Sequence, residues 1–307
     1  MPRSAPELLA ELRELVAAHA DAGVATPVDG VLLGKVERSM TPEYSLADPV
    51  LVVMAQGGKR LMLGDRVHEY RAGDFLVVTA SLPVTGHFFD ATPEAPALAM
   101  GLVLRPAVIA SLLLEAPARS SARRDAPLPA IAVGEATVEL LDAAVRMVRL
   151  LDRPADAAVL APLVEREMLW RLLSGPHGPL LAEIGLPHSS LSLISRTIEW
   201  LRENYAEPVR VEDLASLANM SPSTFHRHFR AVAAMSPLQF QKRIRLQEAR
   251  SLLLARPDDI AGVGHLVGYD SPSQFSREYR RLFGAPPGQD AARLRAMTAS
   301  EVGPWLP

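Results

Sequence analysis

The stretch Ser221-Pro222-Ser223-Thr224-Phe225-His226-Arg227-His228-Phe229-Arg230 decides how this chain is read, because it specifies a helix and both of its faces. Serine at the N-cap and proline at the first helical position start the helix. Phe225 and Phe229, four apart, share the face expected to be buried. Ser223, His226, Arg227 and Arg230 share the opposite face, which is polar and basic. The arrangement returns in Ser271-Pro272-Ser273-Gln274-Phe275-Ser276-Arg277-Glu278-Tyr279-Arg280. Here Ser271 and Gln274 are expected to close a capping box around Pro272, with Phe275 and Tyr279 inward and Ser273, Ser276, Arg277 and Arg280 outward.

Each stretch follows a short helix of the kind a helix-turn-helix requires, at 211–218 and at 259–267, with turns at Asn219-Met220 and Gly268-Tyr269. Between them Ser236-Pro237-Leu238-Gln239 forms another capping box. It opens a helix to about residue 255 that is expected to bury Leu238, Ile244, Ala249, Leu252 and Leu253. That helix is about 27 Å long, on the scale of the roughly 34 Å between successive major grooves on one face of DNA. One basic helix face is what any solvated bundle presents. Two capped helices with matching faces, held apart by a rigid spacer, point instead to double-stranded DNA. Arg227 and Arg277 hold equivalent places and suit bidentate contacts to guanine; Arg230 and Arg280, a turn further on, suit phosphate.

Charge is divided in the same way. Residues 193–298 hold 15 Lys and Arg against 11 Asp and Glu, residues 1–192 hold 17 against 23, and the 307-residue chain nets only -3. The length exceeds what one core holds, so two domains are expected. With 49% hydrophobic and 22% charged residues, the composition is that of a soluble globular chain. The absence of cysteine excludes disulfides, thiolate zinc sites and a cysteine nucleophile, and fits a reducing cytoplasm. The first 20 residues lack the basic start and apolar run of a signal peptide, and nothing approaches the roughly 20 apolar residues that span a bilayer. A cytoplasmic protein with no membrane partner is the expectation.

The N-terminal half has a different texture. After an amphipathic helix carrying Leu8, Leu12, Leu15 and Val16, short β-rich runs lie at 50–55, 60–63, 67–70, 75–79 and 98–104. Turn signals separate them at Gln56-Gly57-Gly58, Gly64-Asp65, Ala72-Gly73-Asp74 and Leu82-Pro83. Many short strands with tight turns indicate a small barrel or sandwich. Helical periodicity follows Pro106, at 108–114, 135–151 and 158–173, broken at Pro127-Leu128-Pro129 and Asp152-Arg153-Pro154. The Pro- and Gly-rich stretch beyond Ser174 is the expected linker. The chain therefore reads as an α+β two-domain protein, with a β-barrel and helical extension over 1–178, a linker at 179–192, an all-α double helix-turn-helix over 193–298 and a tail at 299–307.

The C-terminal residues resemble the DNA-binding domain of the AraC/XylS family of bacterial transcriptional regulators. The likeness rests on Asp213-Leu214-Ala215, Met220-Ser221-Pro222-Ser223, Phe225-His226-Arg227-His228-Phe229, Ser236-Pro237, Arg245-Leu246 and Ala249-Arg250. It continues through Ile260-Ala261, Val267-Gly268-Tyr269, Ser271, Phe275-Ser276-Arg277, Phe283-Gly284 and Pro286-Pro287. Gly264 stands where the family usually has alanine, which loosens that helix slightly. The resemblance implies that Ser223, His226 and Arg227 contact bases or nearby phosphates from the first unit, and Pro272, Ser273, Ser276 and Arg277 from the second. More faintly, Met54-Ala55-Gln56-Gly57-Gly58-Lys59-Arg60, Leu63-Gly64-Asp65, Gly73-Asp74-Phe75-Leu76-Val77-Val78 and Leu82-Pro83-Val84 resemble the cupin-like regulatory barrel of a subgroup of the family. This implies sequence-specific promoter binding modulated by a small-molecule effector or by dimerisation. The helices after Pro106 would form the homodimer interface, and RNA polymerase would be contacted if the protein activates.

The competing enzymatic reading needs a metal in the barrel. Metal-binding cupins use a His-x-His pair with a carboxylate and a further His, and this region has only His68 and His87, without such a pair. His226-x-His228 lies on a helix where rings two residues apart diverge, giving one DNA-facing and one packing histidine. No metal, cofactor or catalytic residue is therefore expected. Lys59 and Arg60 are the candidates for an anionic effector, and strand alternation sends at most one of them into the barrel. Gly58-Lys59 is no phosphate loop, since the earlier glycine is missing and Arg60 replaces the hydroxyl residue.

Overall fold

A computed structural model of the chain describes residues 3–20, 26–39, 42–115 and 127–296. They form two compact units: residues up to Ser195 group with the short segment Ala231–Ala234, and the rest of the described chain from Arg196 onward forms the second.

The first unit opens with helix α1 (Ala5–His19) and then builds strands β1 (Val31–Val36), β2 (Glu43–Ala47), β3 (Val50–Gln56), β4 (Gly58–Leu63) and β5 (Arg66–Arg71). Strands β6 (Asp74–Val78), β7 (Leu82–Phe89) and β8 (Ala97–Val103) follow, then helix α2 (Pro106–Glu115) and strand β9 (Ile131–Glu135). Helices α3 (Val138–Arg149), α4 (Pro154–Ser174) and α5 (Gly178–Gly185) complete it. All recorded strand pairings are antiparallel and form two sheets, β1-β8-β3-β6-β9 and β2-β7-β4-β5. Residues Val50–Ala55 of β3 are all buried, because the sheet containing β3 is covered on one face by the other sheet and on its opposite face by α1. Strand β5 buries only Tyr70, so its outer face is open to solvent.

The structure departs from the sequence reading at three places. Leu82-Pro83 is not a turn but the start of β7, where Pro83 lies opposite Leu46 of β2. Pairing of β7 with β4 ends at Thr85, so the missing N–H of Pro83 breaks no ladder bond on that side. The region after Pro106 is not wholly helical either, because β9 returns to pair with β6. The stretch 179–192 is largely helical: α5 runs to Gly185 and the next helix starts at Ser190. Leu180, Leu181 and Ile184 sit at helical spacing and are buried, which outweighs the flanking prolines. The tail at 299–307 lies outside the described residues.

The second unit takes up helix α6 (Ser190–Glu203), in which the boundary falls, and continues with α7 (Val211–Leu217), α8 (Pro222–Ala233) and α9 (Pro237–Ala255). Helices α10 (Ile260–Leu266), α11 (Pro272–Phe283) and α12 (Pro287–Ala296) follow. Ser236 and Gln239 form the expected capping box at the start of α9. Leu238, however, is exposed and Phe240 takes the buried place, since Phe240 and Ile244 define the inner face of the helix. Leu252 is only partly buried. Gly264 of α10 is a packing position: a Cβ there would lie 3.0 Å from the ring of Phe275, so the helix gives up a methyl group to let α11 approach. Among the described residues no helix is long and apolar enough to cross a membrane.

Candidate nucleic-acid interface

The second unit contains the same supersecondary device twice. In the first copy α7 ends with Asn219 at φ 52, and the Met220 N–H donates to the Ala215 carbonyl at 2.9 Å. In the second, α10 ends with Gly268 at φ 85, and the Tyr269 N–H donates to Gly264 at 3.0 Å. These left-handed residues set the turn between the two helices of each copy. At the start of α8 the Ser221 hydroxyl accepts from the Thr224 N–H at 3.3 Å and lies 3.3 Å from the Ser223 hydroxyl. At the start of α11 Ser271 accepts from the Gln274 N–H at 3.4 Å and lies 2.9 Å from the Ser273 hydroxyl. The expected reciprocal half of that second cap is not made. The Gln274 amide instead turns forward and donates to Glu278 Oε1 at 3.2 Å.

Both aromatic pairs point inward. Phe225 and Phe229 pack with tilted rings, their centroids 5.4 Å apart, and Phe229 meets Phe240 of α9 edge-on at 5.6 Å. Phe275 and Tyr279 are 5.6 Å apart in a second cluster with Tyr269 and Phe283. The outward residues follow. Ser223, His226, Arg227 and Arg230 are exposed on α8, and Pro272, Ser273, Arg277 and Arg280 on α11, with Ser276 half-buried. His228 is buried while His226 faces solvent, as the divergence of their rings requires.

Several basic residues of this unit are tied into the fold. Arg245 donates to the carbonyls of Tyr205 at 2.7 Å, Gly268 at 2.7 Å and Ala206 at 3.0 Å, clamping the turn of the second copy to the end of α6. Arg250 pairs with Asp290 at 2.8 Å, Arg293 with the same carboxylate at 2.6 Å, and Lys242 with Glu278 at 2.9 Å. By contrast, among the described residues Arg227, Arg230, Arg277 and Arg280 have no carboxylate partner. Arg277 only touches the Ser273 carbonyl of its own helix, at 3.2 Å. The structural roles of Arg245 and Asp290 escaped the sequence reading, because their partners lie tens of residues away along the chain.

In the first unit Lys59 and Arg60 point to opposite faces of β4. Lys59 is buried inside the sandwich, its ammonium 4.5 Å from the centre of the Phe88 ring, and burial pulls its pKa down to about 7 despite Glu43 nearby. Arg60 lies on the outer face, where it donates to Glu69 at 2.8 Å. Of the two candidates for an anionic effector, only Lys59 faces the interior. His68 sits on β5 and His87 on β7, and among the described residues no three His, Asp or Glu side chains gather as a metal site requires.

Comparison with known proteins agrees with this layout. Residues 27–180 match the family described as AraC-type transcriptional regulator N-terminus, and residues 214–293 match a helix-turn-helix domain family. The HTH-type transcriptional activator RhaS of Pectobacterium carotovorum is 31% identical over 94 residues, which cover 31% of this chain and 34% of RhaS. The HTH-type transcriptional regulator ExsA of Pseudomonas aeruginosa is 29% identical over 178 residues, 56% of this chain and 63% of ExsA. The matches thus span between a third and two thirds of these relatives. Among solved structures, apo ToxT K231A from Vibrio cholerae superposes with a TM-score of 0.53 at 9% identity, covering 87% of this chain and 99% of ToxT. Wild-type ToxT with a bound unsaturated fatty acid gives the same TM-score of 0.53, also at 9% identity, covering 87% of this chain and 96% of ToxT. The two-domain arrangement of a β-sandwich and a helical domain is therefore shared with ToxT.

Proposed function

The chain belongs to the family of AraC-type transcriptional regulators, and from that premise we propose that it binds promoter DNA by seating α8 and α11 in successive major grooves. The observation that carries this reading is that Arg227, Arg230, Arg277 and Arg280 lie at matching outward places on two like-built helices and, among the described residues, have no carboxylate partner, whereas Arg245 and Arg250 are spent on the fold. The 19 residues of α9 separate the two readers by about 28 Å of rigid helix. Arg227 and Arg277 read guanine edges, Arg230 and Arg280 hold phosphate, and Ser223, His226, Pro272, Ser273 and Ser276 complete contacts to the backbone and nearby bases.

Four alanine variants on single-base operator mutants test the assignment. Arg227→Ala and Arg277→Ala should each cost about 1 to 3 kcal/mol and relax preference at separate base pairs, roughly 10 bp apart. Arg230→Ala and Arg280→Ala should weaken all sequences alike and each lower the salt slope by about one. The assignment fails if the first two variants alter the same base pair, or if neither changes sequence preference.

The first unit is the regulatory half, and the protein works in the cytoplasm as a regulator and not as an enzyme. Lys59 is the interior cation for an anionic effector, and the outer position of Arg60 argues against a role for it there. A second copy of the chain pairs through α4, where Val159, Leu160 and Leu163 are exposed apolar residues on neighbouring turns. If the protein activates, RNA polymerase is a further partner.

A further inference from the structure

The first unit also has a solvent-open cavity of about 340 Å³ that neither the DNA-facing helices nor Lys59 line. Its apolar wall is Leu102 of β8, Met147 of α3, Leu150 just after it, and Ala157 and Ala161 of α4. Three charged side chains also line it, and their exposure falls from 96% at Asp29 through 35% at Arg105 to 7% at Glu165. They therefore run from rim to floor.

Arg105 donates to Asp29 at 2.8 Å but reaches Glu165 Oε2 only at 3.4 Å. Glu165 Oε1 is buried without a hydrogen-bond partner. Such an oxygen is unfavourable in a folded protein unless something donates to it. Two carboxylates facing one guanidinium also leave the cavity one negative charge in excess. A volume near the lower end of the roughly 300–1,000 Å³ usual for ligand sites, apolar walls and one orienting polar group describe a small-molecule site.

We propose that this cavity binds a small organic monocation, whose ammonium donates to Glu165 Oε1 while its apolar body lies against Leu102, Met147 and Ala161. The site goes beyond the DNA-binding reading and does not rest on it, since occupancy is measured without DNA. Burial lifts the Glu165 carboxyl above its usual range, opposed only in part by Arg105 and reinforced by Asp29, and a bound cation supplies the charge this buried group lacks.

Isothermal titration of the full chain with 2-phenylethylamine, 2-phenylethanol and 3-phenylpropanoate tests the proposal, because the three probes share a body and differ in head-group charge. The amine should bind saturably at one site, with the alcohol and the acid at least about tenfold weaker. Glu165→Gln should weaken the amine by about tenfold or more. Ala158→Trp, at an exposed lining position, should block entry without disturbing the core and serves as the second variant. Equal or tighter binding of the acid or alcohol, amine binding unchanged in both variants, or no saturable amine binding at millimolar concentration would each overturn it.

Discussion

Replacing Asp290 by asparagine probes how the second recognition helix is held. Asp290 is fully buried and accepts from Arg250 Nε at 2.8 Å, the Tyr279 hydroxyl at 2.9 Å and Arg293 Nη2 at 2.6 Å, tying α12 to both α9 and α11. Removing one partner of a buried ion pair costs about 3 to 5 kcal/mol, because the other charge stays desolvated. Here Arg250 is 19% and Arg293 60% exposed, so both guanidiniums recover some hydration, and asparagine keeps one acceptor. The lower end, about 3 kcal/mol, is the expected loss. For a unit of this size it lowers the melting temperature by about 12 to 24 °C, readable by calorimetry of the full chain. Acid provides a second reading. Burial alone would raise the Asp290 carboxyl, but the hydrogen bonds from Arg250, Tyr279 and Arg293 more than offset it and hold the group below its ordinary range. Its stabilisation is therefore complete above the unfolded-state pKa of about 3.9 and is lost as pH falls through the folded value. The gap between wild type and Asp290→Asn should be constant from about pH 7 to 5 and narrow below about pH 4. A gap under about 1 kcal/mol, or one undiminished at about pH 3, refutes the buried-network account.

Lys59→Met should stabilise the first unit at neutral pH. The folded Lys59 pKa near 7 lies below the unfolded value of about 10.4, so wild-type stability climbs as pH rises between the two, and the variant should lack that climb in urea titrations at stepped pH. Gly268→Ala places a Cβ 2.2 Å from the Ala206 carbonyl oxygen at a positive φ of 85. It should cost about 2 kcal/mol or more and weaken contacts at the base pairs read by α11 while sparing those read by α8, a division that footprinting would reveal. Leu163→Glu on the exposed face of α4 should shift the chain from dimer to monomer in sedimentation, and an unchanged sedimentation coefficient would remove α4 from the interface.

What the sequence determined by itself are the features whose causes lie within a turn or two of chain. The serine caps and prolines that start α8 and α11, the i, i+4 aromatic pairs, the exposed arginines and the left-handed turn at Gly268 depend on neighbours a few residues away, so they were legible without tertiary information. The same holds for strands β3 to β6 and β8, whose apolar runs and turns are local. Tertiary structure decided the rest. Strands β1, β2 and β9 take their place from partners far along the chain, and Pro83 is tolerated in β7 where pairing with β4 has already stopped on one side. The inward turn of Lys59 and the outward turn of Arg60 follow from the register of β4 against β5 and β7, which one residue of slip would reverse. Arg245, Asp290 and the Arg105–Glu165 pair acquire their roles from groups brought together only when the helices and sheets pack, and no pattern over a few residues encodes that meeting.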